Sequence, residues 1–313
     1  MKLIRDTTEL SAERDSAVTL GKFDGLHRGH RLLISELTAA AEEGLQSIVF
    51  TFGTHPRVLV EGRPQELLLT NEERHDRLEA LGVDILIEFP FNETTSHIPA
   101  GEFVREILVK QLRAKKIIVG TDFGFGYRRA GNVELLRVLG PECGFELIVR
   151  EKLKTEGGTD ISSSYIKERL KRGEMEQVND LLGYPYYIRG PILHGNRNGR
   201  LFGFPTINQL PEEKKLLPPN GVYASRTTID GHSYHSVTNI GVKPTIGDGY
   251  PRGAETFIED FSQEIYGKTA TVELYSFLRP EALFDSGDAL VAQIKTDRQR
   301  AAKYWREELK KGY

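Results

Sequence analysis

The sequence predicts an α/β unit built on a parallel sheet, followed by an antiparallel β-barrel that ends in a helix. Three observations carry this. Over the first half, strand-like apolar runs alternate with segments of helical period, the pattern of a parallel sheet with right-handed crossovers and both faces covered. Around residue 183 the chain changes to short β-rich segments separated by Gly, Pro and Asn clusters, as closely spaced antiparallel strands require. The stretch from about Ala289 to Tyr304 is amphipathic, with Leu290, Ile294 and Tyr304 on its packing side. At 313 residues the chain is long enough for two domains, expected at 1–183 and 184–313.

Element by element, the first unit opens on a strand ending at Val18–Leu20 and a helix over Arg31–Glu43, with Leu33, Leu37 and Ala40 on one side. The strand Ser47–Phe52 and a helix from Asn71 to Leu81 with a capped, acid-rich first turn come next. The alternation continues through Asp84–Phe89, Ala100–Leu112, Lys116–Gly120, Val133–Leu139 and Phe145–Val149. Ligands of such sheets sit beyond the C-terminal strand ends, so the loops after Leu20, Phe52 and Gly120 can converge on one. Two short helices, Ser163–Arg172 and Met175–Leu182, precede the second unit, whose strands include Gly221–Ser225, His235–Ile240 and Thr271–Phe277.

Composition narrows the function classes. No apolar run approaches membrane-spanning length and the first residues lack the apolar core of a signal peptide, so a cytoplasmic protein without a membrane partner is expected. Cys143 is the only cysteine, which excludes an intrachain disulfide and fits a reducing compartment. A formal net charge of -3 gives no global basic field, which argues against nucleic acid and for small anionic ligands held by local donors. Oligomeric state is not legible.

Within the first unit, Gly21-Lys-Phe-Asp-Gly-Leu-His-Arg-Gly-His30 falls where a strand turns into a helix. Gly21, Gly25 and Gly29 let backbone approach a ligand, and the N–H groups of the helix start attract anions. His27 and His30, three apart, can face the same phosphate from the first turn. A lone histidine is more often an ordinary surface or core residue, and His-x-x-His supplies only two ligands for zinc. Donation to a phosphate whose charge grows as pyrophosphate departs is the remaining reading, the chemistry of nucleotidyl transfer.

This segment resembles the HxGH signature of nucleotidylyltransferases, in the form found in bacterial bifunctional riboflavin kinase/FAD synthetases. The resemblance implies a Rossmann-like nucleotidylyltransferase domain followed by a riboflavin kinase barrel, and places Gly21, Phe23 and Gly29 among the phosphate-binding residues. Ile161-Ser-Ser-Ser-Tyr-Ile-Lys167 is similar to the family's Ile-Ser-Ser-Thr-x-Ile-Arg. A helix cap explains one serine; Ser162, Ser163, Ser164 and Lys167 together exceed that need and suit the β- and γ-phosphates. Val119–Gly131 looks like the family loop that lines the flavin and adenine end, which assigns Asp122, Phe123, Phe125 and Gly126 to flavin and Arg129 to flavin or phosphate. Taken alone, that loop's glycines read as a turn and its phenylalanines as core. Thr51-Phe-Gly-Thr-His-Pro56 departs from the family's Thr-Phe-(Asp/Glu)-Pro-His-Pro: Gly53 replaces a carboxylate and Thr54 a proline.

His194-Gly-Asn-Arg-Asn-Gly-Arg-Leu-Phe-Gly-Phe-Pro-Thr-Ile-Asn208 reads alone as a turn-rich surface loop or a polyphosphate wrap. It resembles the riboflavin kinase pattern nearly residue for residue, which implies Gly195, Gly199, Arg200, Gly203 and Pro205 around ATP and Thr206 and Asn208 at Mg²⁺. Strand periodicity places Glu255, Phe257 and Glu259 on one face and leaves either glutamate available as base; the resemblance selects Glu255. The whole chain is thus identified as a member of this family, with riboflavin, FMN and ATP as substrates, Mg²⁺ accompanying ATP, and Glu255, His27 and His30 as catalytic residues. Two rival readings are a kinase with a weakened adenylyltransferase domain and a flavin-binding regulatory protein. Another adenylyl acceptor such as phosphopantetheine is disfavoured by the kinase-like second half.

Overall fold

The computed structural model describes residues 1–53, 65–193, 204–242, 252–261, 263 and 265–310, with residues 309 and 310 described by their backbone alone. It divides into two compact units, Met1–Ser163 and Ser164–Tyr313. Of the expected site residues, Gly195, Gly199, Arg200 and Gly203 lie outside the described residues, as do Thr54, His55 and Pro56.

The first unit is a parallel sheet of β1 (Lys2–Arg5), β2 (Ser16–Leu20), β3 (Gln46–Phe52), β4 (Ile85–Phe89), β5 (Ala114–Gly120) and β8 (Glu146–Arg150), in the order β1-β4-β3-β2-β5-β8, with a separate antiparallel pair of short strands, β6 (Gly124–Phe125) and β7 (Gly131–Asn132), between β5 and β8 in the chain. Every residue of β2 and β4 is buried, so neither strand shows the apolar–polar alternation of a sheet with one face in water. The crossovers are α1 (Arg28–Ala39), α2 (Asn71–Ala80), the short α3 (Glu93–Ser96), α4 (Ala100–Glu102), which continues as a π-helix over Phe103–Gln111, and α5 (Val133–Cys143). Val18, Leu20, Ile48, Phe50, Ile85, Ile87, Ile117 and Val119 form one core with Phe103, Val104, Leu136 and Leu139. On α1, Ile34 and Leu37 are buried, and Leu33, expected on the packing side, is only partly covered.

Two local features depart from expectation. Helix α1 begins at Arg28, before the expected Arg31, because His27 caps it and pulls Gly29 and His30 into the first turn. The strand β1 pairs in parallel with β4, from Lys2 opposite Ile85 to Arg5 opposite Glu88. Strand order turns at β2, which pairs with β3 on one side and β5 on the other. That reversal is the topological switch point, where crevices open in doubly wound sheets.

The second unit contains α6 (Ser163–Lys171, its first residue in the first unit), α7 (Met175–Leu182), and an antiparallel sheet in the order β10-β13-β12-β11-β14-β9. Its strands are β9 (Tyr186–Pro191), β10 (Thr206–Gln209), β11 (Gly221–Ile229), β12 (His232–Val242), β13 (Arg252–Ile258) and β14 (Thr269–Pro280). A bridge between Leu193, just beyond β9, and Asn208 on β10 brings the two edges together, so the sheet curls into a barrel. Its inner face is partly hydroxylic. Ser225 bonds Ser236 and Thr238 at 2.8 Å each, Thr227 bonds Ser236 at 2.8 Å, and Thr238 bonds Thr256 at 2.9 Å. Each buried hydroxyl therefore has a partner, which removes the cost of burying it. The terminal helix α8 (Gly287–Lys310) is anchored by Asp297, a buried carboxylate gripped by Arg279 at 2.7 to 3.0 Å.

Candidate active sites

In the first unit, the chain leaves β2 at the switch point and turns through three left-handed residues, Phe23 (φ 49°), Gly25 (φ 86°) and Leu26 (φ 36°). The turn closes on α1, where the His27 ring nitrogen Nδ1 accepts the His30 main-chain N–H at 3.3 Å. The His27 and His30 rings stack, with centroids 3.7 Å apart and planes 18° from parallel. Gly29 lies beneath the His27 ring; a β-carbon there would sit 3.3 Å from it. Phe23 is fully buried and edge-on to His30 at 5.2 Å, so its side chain supports the histidine from below.

Burial governs the charge of this pair. It lowers the His27 pKa to about 4, against the opposing pull of Asp24, and holds His30 well below the usual histidine range, with His27 adding to the effect. Both imidazoles are therefore neutral at pH 7, and each carries one N–H donor. His30 Nδ1 is buried without a hydrogen-bond partner. Stacked neutral donors at the first turn of a helix make a site for an anion.

The serine segment reaches this loop from far along the chain. Ser163 donates its hydroxyl to the Asp24 carbonyl at 2.8 Å, and the Ile161 carbonyl lies 4.0 Å from where a Gly29 β-carbon would stand. Ser162 is half-buried beside it; on α6, Ser164 is exposed and Lys167 half-buried. In the loop after β5, Asp122 is exposed and pairs with Lys152 at 2.9 Å. Arg129 reaches the Asp122 carbonyl at 3.4 Å. Phe123 and Phe125 stack at 5.4 Å, and Phe125 is buried in the core against Phe103. Gly126 (φ 71°) approaches Ala100 so closely that a β-carbon would stand 2.7 Å from it.

The second unit builds its polar cluster by strand register. Asn208 on β10 lies opposite Glu255 on β13, and Glu255 lies opposite Asn239 on β12. Thr206, two residues before Asn208 and so on the same face, donates its hydroxyl to Glu255 Oε1 at 2.8 Å. All four side chains are half-buried, and Pro205 is exposed at the start of β10. Glu259 is committed elsewhere: Arg298 of α8 grips both its oxygens at 2.7 and 2.5 Å.

Two family models match the chain, FAD synthetase over residues 9–165 and riboflavin kinase over residues 182–305. A bifunctional riboflavin kinase/FMN adenylyltransferase of Bacillus subtilis is 36% identical over 296 residues, covering 93% of this chain and 92% of the relative. The Escherichia coli K12 protein of the same name is 35% identical over 313 residues, covering 97% and 98%. The chain belongs to the bifunctional riboflavin kinase/FMN adenylyltransferase family. A crystal structure described as a macrolide-efflux protein from Streptococcus pneumoniae is also similar, with a TM-score of 0.86, 31% identity and coverage of 96% of this chain and 99% of that one. Among the described residues here, no helix is long and apolar enough to cross a membrane.

Family membership gives the two clusters their context, and the structure adds residues that pattern reading passed over. Arg298 spans Glu259 and the Phe257 ring, 4.8 Å from its centroid. It borders a cleft of about 470 Å³ that His235, Glu259, Lys295 and Trp305 also line. In the first unit, Glu88 at the end of β4 forms a buried pair with Arg74 at 2.6 Å. A β-carbon on Gly53 would lie 3.7 Å from that of Glu88, so a carboxylate side chain stands next to the position where the family loop carries one. Opposite charges close together in sequence could have signalled none of these contacts, because each links separate elements.

Proposed function

We propose that this chain makes FAD from riboflavin in two ATP-dependent steps, one in each unit. In the first step, the ribityl 5′-hydroxyl of riboflavin attacks the γ-phosphorus of ATP, its proton leaves to Glu255, and ADP departs with FMN formed. Glu255 is suited to receive or position that hydroxyl because it sits in a polar row between Asn208 and Asn239 while Glu259 is engaged by Arg298. Thr206 and Asn208 offer neutral oxygens on one strand face. Such a pair fits Mg²⁺, which keeps water and phosphate oxygens as its other ligands. When bound with ATP, the metal supplies charge neutralisation at the phosphates.

In the second step, an FMN phosphate oxygen attacks the α-phosphorus of another ATP and pyrophosphate leaves. The nucleophile is already anionic, so His27, His30, Ser162 and Ser163 align it and donate to the departing phosphates, with no covalent enzyme intermediate. Asp122, Phe123, Phe125, Gly126 and Arg129 bound the flavin side, and Gly21 and Gly29 the nucleotide side. The FMN adenylyltransferase module is assigned to 1–183 and the kinase module to 184–313, and the protein to the cytoplasm.

The observation that carries this reading is the presence in one chain of a neutral, stacked histidine pair at a helix start and a Thr206–Glu255 cluster on a barrel. Purified protein supplied with riboflavin, ATP and Mg²⁺ is expected to yield FMN and then FAD with pyrophosphate, separated by chromatography. One alternative, a kinase with a weakened adenylyltransferase, draws on Gly53 in the loop after β3. FMN accumulation without FAD would favour it.

A further inference from the structure

Asp24 lies in the turn between β2 and α1 and is 7% exposed. Its Oδ1 accepts the main-chain N–H of Leu68 at 2.8 Å and of Leu69 at 3.4 Å, two residues far along the chain and themselves buried. Its own carbonyl accepts the Ser163 hydroxyl at 2.8 Å. Immediately after Leu69, Thr70 and Glu73 form the capping box that starts α2. One residue thus joins three segments: the turn that carries His27 and His30, the approach to α2, and the serine segment.

The turn needs such a tether. Phe23 and Leu26 hold left-handed φ values that non-glycine residues adopt at a cost, and such conformations persist only where surrounding contacts over-determine them. The charge of Asp24 also bears on His27, opposing the effect of burial on that ring. We propose that Asp24 is a positioning residue of the adenylyltransferase site: its carboxylate ties the histidine turn to Leu68 and Leu69, and so keeps in place the main-chain carbonyl that holds Ser163. It touches no reacting atom. Its contribution is to alignment, which acts on the chemical step more than on ground-state binding.

This inference rests on the adenylyltransferase reading, and the test separates the two. In the full-length protein, Asp24→Ala is expected to lower kcat for FAD formation by about 100-fold, the order of loss from small misplacements of aligned groups. KM for ATP and the rate of riboflavin phosphorylation stay near wild type, the latter reporting that the second unit is intact. Asp24→Asn keeps an acceptor oxygen and is expected to restore most of the lost rate. In Asp24→Ala alone, amide hydrogen exchange at Leu68 and Leu69 accelerates, a readout independent of activity. A wild-type kcat in Asp24→Ala, a rise in the KM for ATP with kcat unchanged, or an Asp24→Asn variant as impaired as Asp24→Ala would each overturn the assignment. Should Asp24→Ala fail to fold, Asp24→Asn with wild-type exchange and rate still supports tethering by geometry, and Asp24→Asn with fast exchange refutes it. Wild-type protein that forms no FAD would instead refute the adenylyltransferase reading, while the exchange data still report the tether.

Discussion

The two candidate sites are assembled by opposite means. At the first, loops from distant parts of the chain meet over a switch point, and what fixes them is burial: Phe23 and Leu26 fully covered, His27 nearly so, and Asp24 tethered at both ends. At the second, neighbouring strands bring Asn208, Glu255 and Asn239 into one row, and half-buried side chains stand on a scaffold whose hydroxyl-lined interior is fully bonded. A loop-built site depends on many long-range contacts and keeps its two histidines neutral through desolvation. A register-built site depends on strand pairing and keeps its carboxylate accessible.

The contrast predicts that damage stays local to each site. The largest effect is expected from Glu255→Gln, which should lower riboflavin phosphorylation by about 10³-fold, as loss of a general base or hydroxyl positioner does, while FMN supplied directly is still adenylylated. His30→Ala should lower FAD formation by about 10²-fold, the scale of losing one donor to a developing phosphate charge, with phosphorylation intact. Arg74→Ala strands Glu88, 4% exposed and paired otherwise, among the described residues, with the half-exposed Arg5, and should destabilise the first unit by about 3 kcal/mol in denaturant unfolding. Loss of riboflavin phosphorylation in parallel would break the claim that the two sites are held separately.

A smaller, pH-dependent effect follows from the buried histidines. The His27 pKa is lowered from 6.5 to about 4 in the folded chain, so the unfolded chain takes up the proton first. Stability from this group is complete above pH 6.5 and falls as the pH drops towards about 4, at about 1.4 kcal/mol per pH unit. His30 acts in the same direction. Thermal unfolding of the first unit between pH 7 and pH 4 is expected to show this slope, and His27→Gln to reduce it. An unchanged slope in the variant would mean that burial does not hold His27 neutral.

The same contrast explains what the sequence could and could not reveal. Buried strands such as β2 and β4 are legible because both faces are covered, and the histidine turn is legible because glycine and cap residues punctuate it. The strand β1 escapes pattern reading because four residues with charged ends carry no periodicity. Periodicity leaves Glu255 and Glu259 equivalent, since their difference lies in Arg298, which is 39 positions from Glu259. Pairing of Asn208 with Glu255 depends on strand register, which the connecting segments fix and local composition does not. Asp24 is visible as a letter in a motif, but its partners lie 44 and 139 positions away.

Whether two reactions run at two separately built sites is decided by one chromatographic assay of His30→Ala and Glu255→Gln beside the wild type, each given riboflavin or FMN with ATP and Mg²⁺. Wild type is expected to carry riboflavin to FAD, His30→Ala to stop at FMN, and Glu255→Gln to make FAD from FMN but nearly nothing from riboflavin. Loss of both reactions in either variant, or a wild type that never forms FAD, would contradict this expectation.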